Sequence, residues 1–119
     1  MIKAQTIEQY KIARYLEEQF APGSVTIQII GAAELLVVDK NGDALVFYMK
    51  DQSGEIENRE PEKDPEALEL AKSHREAYEN WPEGQAVATW RDQDGTACIM
   101  YQTGRWWHYK QTDGGSEWW

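Results

Sequence analysis

At 119 residues the chain is long enough for one domain with its own hydrophobic core. A formal net charge of −9, from 21 acidic against 12 basic side chains, argues against a general nucleic-acid binder and against attachment to an anionic membrane. One cysteine, Cys98, rules out an intramolecular disulfide framework, and no run approaches the ~20 apolar residues of a membrane span. The N-terminal stretch MIKAQTIEQYKIARYLEEQF is charged throughout and lacks a signal-peptide core, so a cytoplasmic protein is expected.

The first element is a helix over 6–20. Thr6 and Gln9 form a capping box, and Pro22-Gly23 stops the helix. Ile12, Leu16 and Phe20 recur at four-residue spacing beside Ala13 and make one apolar stripe, with Ile7, Tyr10 and Tyr15 off it. Residues 25–30 alternate as a half-buried strand, and 31–34 turn or bulge it. Strands over 35–39 and 43–50 follow, parted by Asn41-Gly42, a strong hairpin signal. Both are apolar on two faces, as central strands covered on both sides are; a second copy of the chain, in a homodimer, is one way to cover the second side.

The character then changes. Residues 51–69 hold eight acids and two bases, with Gly54 and two prolines. Residues 51–63 read as an exposed acidic linker, within which 55–57 complete a short edge strand. Asp64-Pro65 opens a second helix as N-cap and first helical residue. Ala67, Leu70, Ala71, His74, Tyr78 and Trp81 share one face of it, with His74 expected half-buried and satisfied, and 82–84 end it.

Residues 86–110 read as three short strands turning at Asp94-Gly95 and Thr103-Gly104. With two-residue loops, Arg91 faces Cys98, Trp90 faces Ile99, Met100 faces Trp107 and Ile99 faces His108. Strict alternation then sorts the residues. Ala88, Trp90, Ala97, Ile99, Tyr101, Trp106 and His108 take the core face. Val87, Thr89, Arg91, Cys98, Met100, Gln102, Arg105, Trp107 and Tyr109 take the outer one. A one-residue error in either loop would exchange the faces of a strand.

The halves, about 1–58 and 64–111, look alike. VVDKNGDALVFYM parallels TWRDQDGTACIMY, matching Asp39 with Asp92, Gly42 with Gly95 and Ala44 with Ala97, a short match that convergence on hairpin chemistry explains nearly as well as duplication. The expected fold is a single α+β domain over 1–119, in the order α-β-β-β-α-β-β-β, with both helices on one face of an antiparallel sheet as a two-layer sandwich.

No catalytic, cofactor or metal motif stands out. DKNGD and DQDGT look superficially like calcium loops, but Lys50 and Thr103 occupy the twelfth positions where glutamate is needed, so they are read as turns. Cys98 and His108 sit on neighbouring strands, yet the register above puts them on opposite faces with no acid to orient the imidazole. Two histidines without a spaced pair argue against zinc.

Two surfaces remain as partner-binding candidates. One is the acidic run, chiefly Asp51, Glu55, Glu57, Glu60, Glu62 and Asp64, which would imitate nucleic-acid phosphates in the groove of a basic protein. The other is the mixed face of Arg91, Met100, Arg105, Trp107 and Tyr109, rich in the residue types that dominate binding hot spots. The expected function is a non-catalytic acidic interaction protein that binds and inhibits a basic partner such as a nucleic-acid enzyme, without touching nucleic acid or membrane. Phage-encoded inhibitors of host defence nucleases, the anti-CRISPR type among them, share its size and charge. Toxin-neutralising immunity proteins and secretion chaperones fit the same physics. The alternative is a small-ligand binding domain or enzyme with a Trp/Tyr-lined pocket.

Overall fold

Thr6 starts the first helix, α1 (Ile7–Gln19), as the sequence predicts: its hydroxyl accepts from the Gln9 amide while the Gln9 side chain accepts from the Thr6 amide. The structure is a computed structural model that describes residues 3–51 and 54–119; Gln52 and Ser53 of the expected linker, like Met1 and Ile2, lie outside the described residues. Contacts divide the chain into two compact units, Met1–Pro61 and Glu62–Trp119, meeting inside the acidic segment.

In the first unit α1 precedes β1 (Val25–Gly31), β2 (Glu34–Asp39), β3 (Ala44–Met49) and β4 (Ile56–Arg59), an antiparallel sheet in chain order. Ile12, Ala13 and Leu16 pack on Leu35, Val37 and Phe47, so the predicted stripe is the buried one. Each such aliphatic side chain contributes about 1.5–3 kcal/mol on burial. Buried Gln9 ties the helix to the β1–β2 turn, its amide nitrogen donating to the Gly31 carbonyl at 2.9 Å. Leu36, Val38 and Val46, on the face away from α1, are also buried, as two-sided apolar strands should be.

The second unit repeats the plan. α2 (Pro65–Leu70) and α3 (Lys72–Glu76) precede β5 (Ala86–Arg91), β6 (Ala97–Tyr101), β7 (Trp106–Thr112) and β8 (Gly115–Trp118), again antiparallel and in chain order. The α+β class and the succession of antiparallel hairpins stand as expected, with the strands shared between two sheets of four, each with its own helical segment. The second helix is interrupted at Ala71, and its last turn ends at Ala77, which leaves Tyr78 and Trp81 beyond the helix rather than on its face. No helix among the described residues is long and apolar enough to cross a membrane.

The hairpin registers correct the sequence reading by one residue. Arg91 pairs with Ala97, Trp90 with Cys98 and Thr89 with Ile99; Met100 pairs with Trp106, Ile99 with Trp107 and Cys98 with His108. A two-residue type I′ loop needs positive φ at both central residues. Here only the glycines, Gly95 at φ 80° and Gly104 at φ 87°, are positive, and no other residue type is. Each turn therefore closes as a three-residue loop: the Gly95 amide donates to the Asp92 carbonyl, and the Asp92 amide to the Thr96 carbonyl. The Tyr101–Arg105 turn repeats this pattern. The extra residue exchanges the faces of β5 and β7 relative to β6. Ala97, Ile99, Tyr101, Trp107 and Tyr109 now face the helices, packed with Ala67, Ala71 and Trp81. Cys98, Met100, Trp90, Trp106 and His108 share the opposite face through their cross-strand pairings.

Candidate functional site

The aromatic–arginine surface dissolves with the corrected register. Met100 and Tyr109 are buried on opposite faces of β6–β7 and expose nothing. Trp107 and Arg91 do lie on one side, but it is the helix side. The Trp107 ring packs edge-on against His74 at 4.7 Å, with the Arg105 guanidinium 5.6 Å over it. Arg105 reaches the buried carboxylate of Glu83 at 3.7 Å, and Arg91 reaches Asp64 at 3.3 Å. Both arginines therefore hold carboxylates of their own chain.

The acidic run divides into structural and unengaged carboxylates. Asp64 caps α2 by accepting from the Glu66 amide with Oδ1, and receives Arg91 on Oδ2. Glu57 accepts from the Tyr48 hydroxyl and lies 4.0 Å from Lys50; that hydrogen bond, then burial, raises the Tyr48 pKa. Asp51 and Glu55 are exposed and also engaged. Glu60 and Glu62 are exposed, and their carboxylates make no hydrogen bond or ion pair among the described residues, as is also true of Glu66 and Glu69 on α2 and of Glu76 and Glu79 beyond it. In the second unit Glu69, Glu76 and Glu79, with Lys72, Arg75, Tyr78 and Trp81, line an open cleft of about 630 Å³. Tyr78 is 43% exposed there.

His74 is buried completely rather than half-buried. Its ring stacks on Trp118 at 4.6 Å and meets Tyr78, Trp81, Trp107 and Tyr109 edge-on or tilted. Nδ1 lies 2.7 Å from the Tyr109 hydroxyl, which is 2.7 Å from that of Tyr101; Nε2 finds no partner among the described residues. Burial lowers the His74 pKa, the charge of Glu83 opposing it in part, and burial raises those of Tyr101 and Tyr109. The lowered pKa favours the neutral imidazole, around which the aromatic rings pack.

The second consequence of the register is an Asp–Cys–His constellation. Cys98 and His108 are direct cross-strand partners, so the expectation that they point apart is overturned, and an acid stands beside them. One ligand atom from each of Asp92, Cys98 and His108 falls within 4.8 Å of the others. Asp92 Oδ1 accepts from the amides of Asp94 and Thr96, both at 2.9 Å, which fixes the carboxylate and leaves Oδ2 pointing at His108 Nε2, 3.8 Å away. The His108 ring lies parallel to Trp119, 4° between planes and 4.9 Å apart, and is flanked by Trp106. Backbone bonds in both directions between His108 and Trp119 hold that stack. Burial, with Asp92 adding to it, pushes the Cys98 thiol up to about 12, so the free thiol is no nucleophile. Asp92 was the residue the sequence reading missed. Its signal was the D-x-x-G spacing shared with Asp39, whose Oδ1 likewise accepts two turn amides, from Asn41 and Asp43.

No protein-family model, curated protein or solved structure matches this chain.

Proposed function

We propose that the chain is a small acidic interaction protein, acting in the cytoplasm, that binds a basic protein partner and blocks it without turnover. The contact side is that of α2 and α3. What supports this reading is a group of exposed carboxylates that make no ion pair among the described residues: Glu62, Glu66, Glu69, Glu76 and Glu79. Glu69, Glu76 and Glu79 line a cleft that Tyr78 and Trp81 also line. A lysine or arginine of the partner gains both a carboxylate and an aromatic face there. A nucleic-acid enzyme has the basic groove that such an array fits, and a toxin or a secreted effector with a basic face is accommodated by the same physics. Asp51, Glu55, Glu57 and Asp64 play a lesser part in this reading, because they are already engaged within the chain.

The test is affinity capture from the source cells, identification of the partner, and binding measurements on the purified pair. Glu69→Lys/Glu76→Lys/Glu79→Lys should slow association and weaken its salt dependence. Tyr78→Ala should cost about 2 kcal/mol of affinity as an exposed aromatic anchor. A partner indifferent to both changes contradicts the reading. The same cleft favours one rival, a small-ligand site: thermal stabilisation by a metabolite, with no protein captured, would support that instead.

A further inference from the structure

We propose that Asp92, Cys98 and His108 form a binding site for a single divalent cation of the zinc class. Three different ligand types converge there from three places in the second unit. Asp92 comes from the β5–β6 turn, Cys98 from the start of β6 and His108 from β7. Thiolate, imidazole and carboxylate together suit Zn²⁺ and Co²⁺, whereas Mg²⁺ and Ca²⁺ call for oxygen donors alone.

Two of the ligands are oriented before any ion arrives. The two backbone amides on Asp92 Oδ1 turn Oδ2 toward the imidazole. The rings of Trp106 and Trp119 fix the plane of His108. Such outer contacts set the direction of metal ligands and are worth roughly 10–100-fold in affinity. The site is also reachable, since the Asp92 and His108 side chains are 30% and 25% exposed while Cys98 closes the inner side. Ligand separations in a tetrahedral zinc site are roughly 3.4–3.6 Å. From the 3.8 Å between Oδ2 and Nε2, and at most 4.8 Å within the trio, binding needs a contraction of no more than about 1.4 Å. Three protein ligands leave a fourth position for water or for a donor from another molecule. On binding, the Cys98 thiol releases its proton to solvent as the sulfur–metal bond forms, and His108 Nε2 and Asp92 Oδ2 each donate a lone pair. Nothing is oxidised or reduced.

Co²⁺ alone, added to the reduced full-length chain, is the direct probe. One equivalent should produce a thiolate-to-cobalt charge-transfer absorption, and Zn²⁺ should abolish it by displacement. Cys98→Ser should remove the band, and His108→Ala should weaken Zn²⁺ binding at least about 100-fold. Asp92→Asn can still accept the turn amides, so it tests the ligand with the hairpin kept. Should the serine variant fail to fold, competition of the wild-type chain and His108→Ala for Zn²⁺ against a chromophoric chelator replaces it. His74 is sealed in its aromatic cluster and cannot substitute for His108. Absence of the band in the wild-type chain with no Zn²⁺ taken from the chelator, or Zn²⁺ binding unchanged by His108→Ala and Asp92→Asn, overturns the site.

Discussion

At Gly95 the backbone takes φ of 80°, a region that side chains bearing a Cβ enter at a cost, and that one angle lets Asp92 close a three-residue loop. Gly95→Ala should cost about 1 kcal/mol in urea denaturation, with nothing but backbone strain to blame, since a Cβ there meets no atom within 4 Å. An unchanged midpoint would mean that the loop is not held in this conformation. His74 carries the pH dependence at this scale. Burial holds its folded pKa below the ordinary 6.5, so as pH falls past that value the unfolded chain gains a proton that the folded chain refuses. Its share of stability is complete above about pH 6.5 and is lost on acidification toward the lowered folded value. His74→Phe should be less stable at neutral pH, having lost the Tyr109 bond, yet show a shallower fall in stability between about pH 7 and pH 5. Parallel pH profiles for the two proteins would contradict that account.

At the scale of elements, the legible parts were those governed by local rules. Thr6 and Asp64 announced their helices through capping chemistry, and Ile12, Ala13 and Leu16 announced the buried face by spacing. The glycines announced three hairpins. Loop length was the part that composition does not settle, because Asp94-Gly95 serves a two-residue loop and a three-residue loop equally well. One residue of register then moved Trp107 and Tyr109 from the outer face to the helix face and brought His108 to Cys98. β4 and β8 were faint for another reason: as polar edge strands, IENR and GSEW carry little hydrophobic signal. Trp107 shows what the register decides. As a half-buried ring packed on His74 under Arg105, its replacement by alanine should lower stability by about 2–3 kcal/mol. An outward-facing ring would leave the thermal midpoint nearly unmoved, and calorimetry separates the two.

For the molecule as a whole, the likeness of the two halves in the sequence is matched by a likeness in local structure. Each unit runs from helix to four antiparallel strands, and Asp39 and Asp92 bind their turn amides in the same way. The units differ in what they display. The first buries an aliphatic core under one helix; the second encloses an aromatic cluster behind two short helical segments edged with carboxylates. Net charge of −9 was plain from composition, but which acids are unengaged required coordinates, since capping and pairing remove Asp64 and Glu57 from the set. Charge of this kind acts mainly on the rate of encounter, through a field that salt screens within ~8–10 Å. The decisive measurement is therefore the association rate with the captured partner over a series of salt concentrations, for the wild-type chain and for Glu69→Lys/Glu76→Lys/Glu79→Lys. A steep fall in rate with salt for the wild type, much flattened in the variant, is what carboxylate steering from the α2–α3 side predicts. Equal slopes for the two proteins would contradict it.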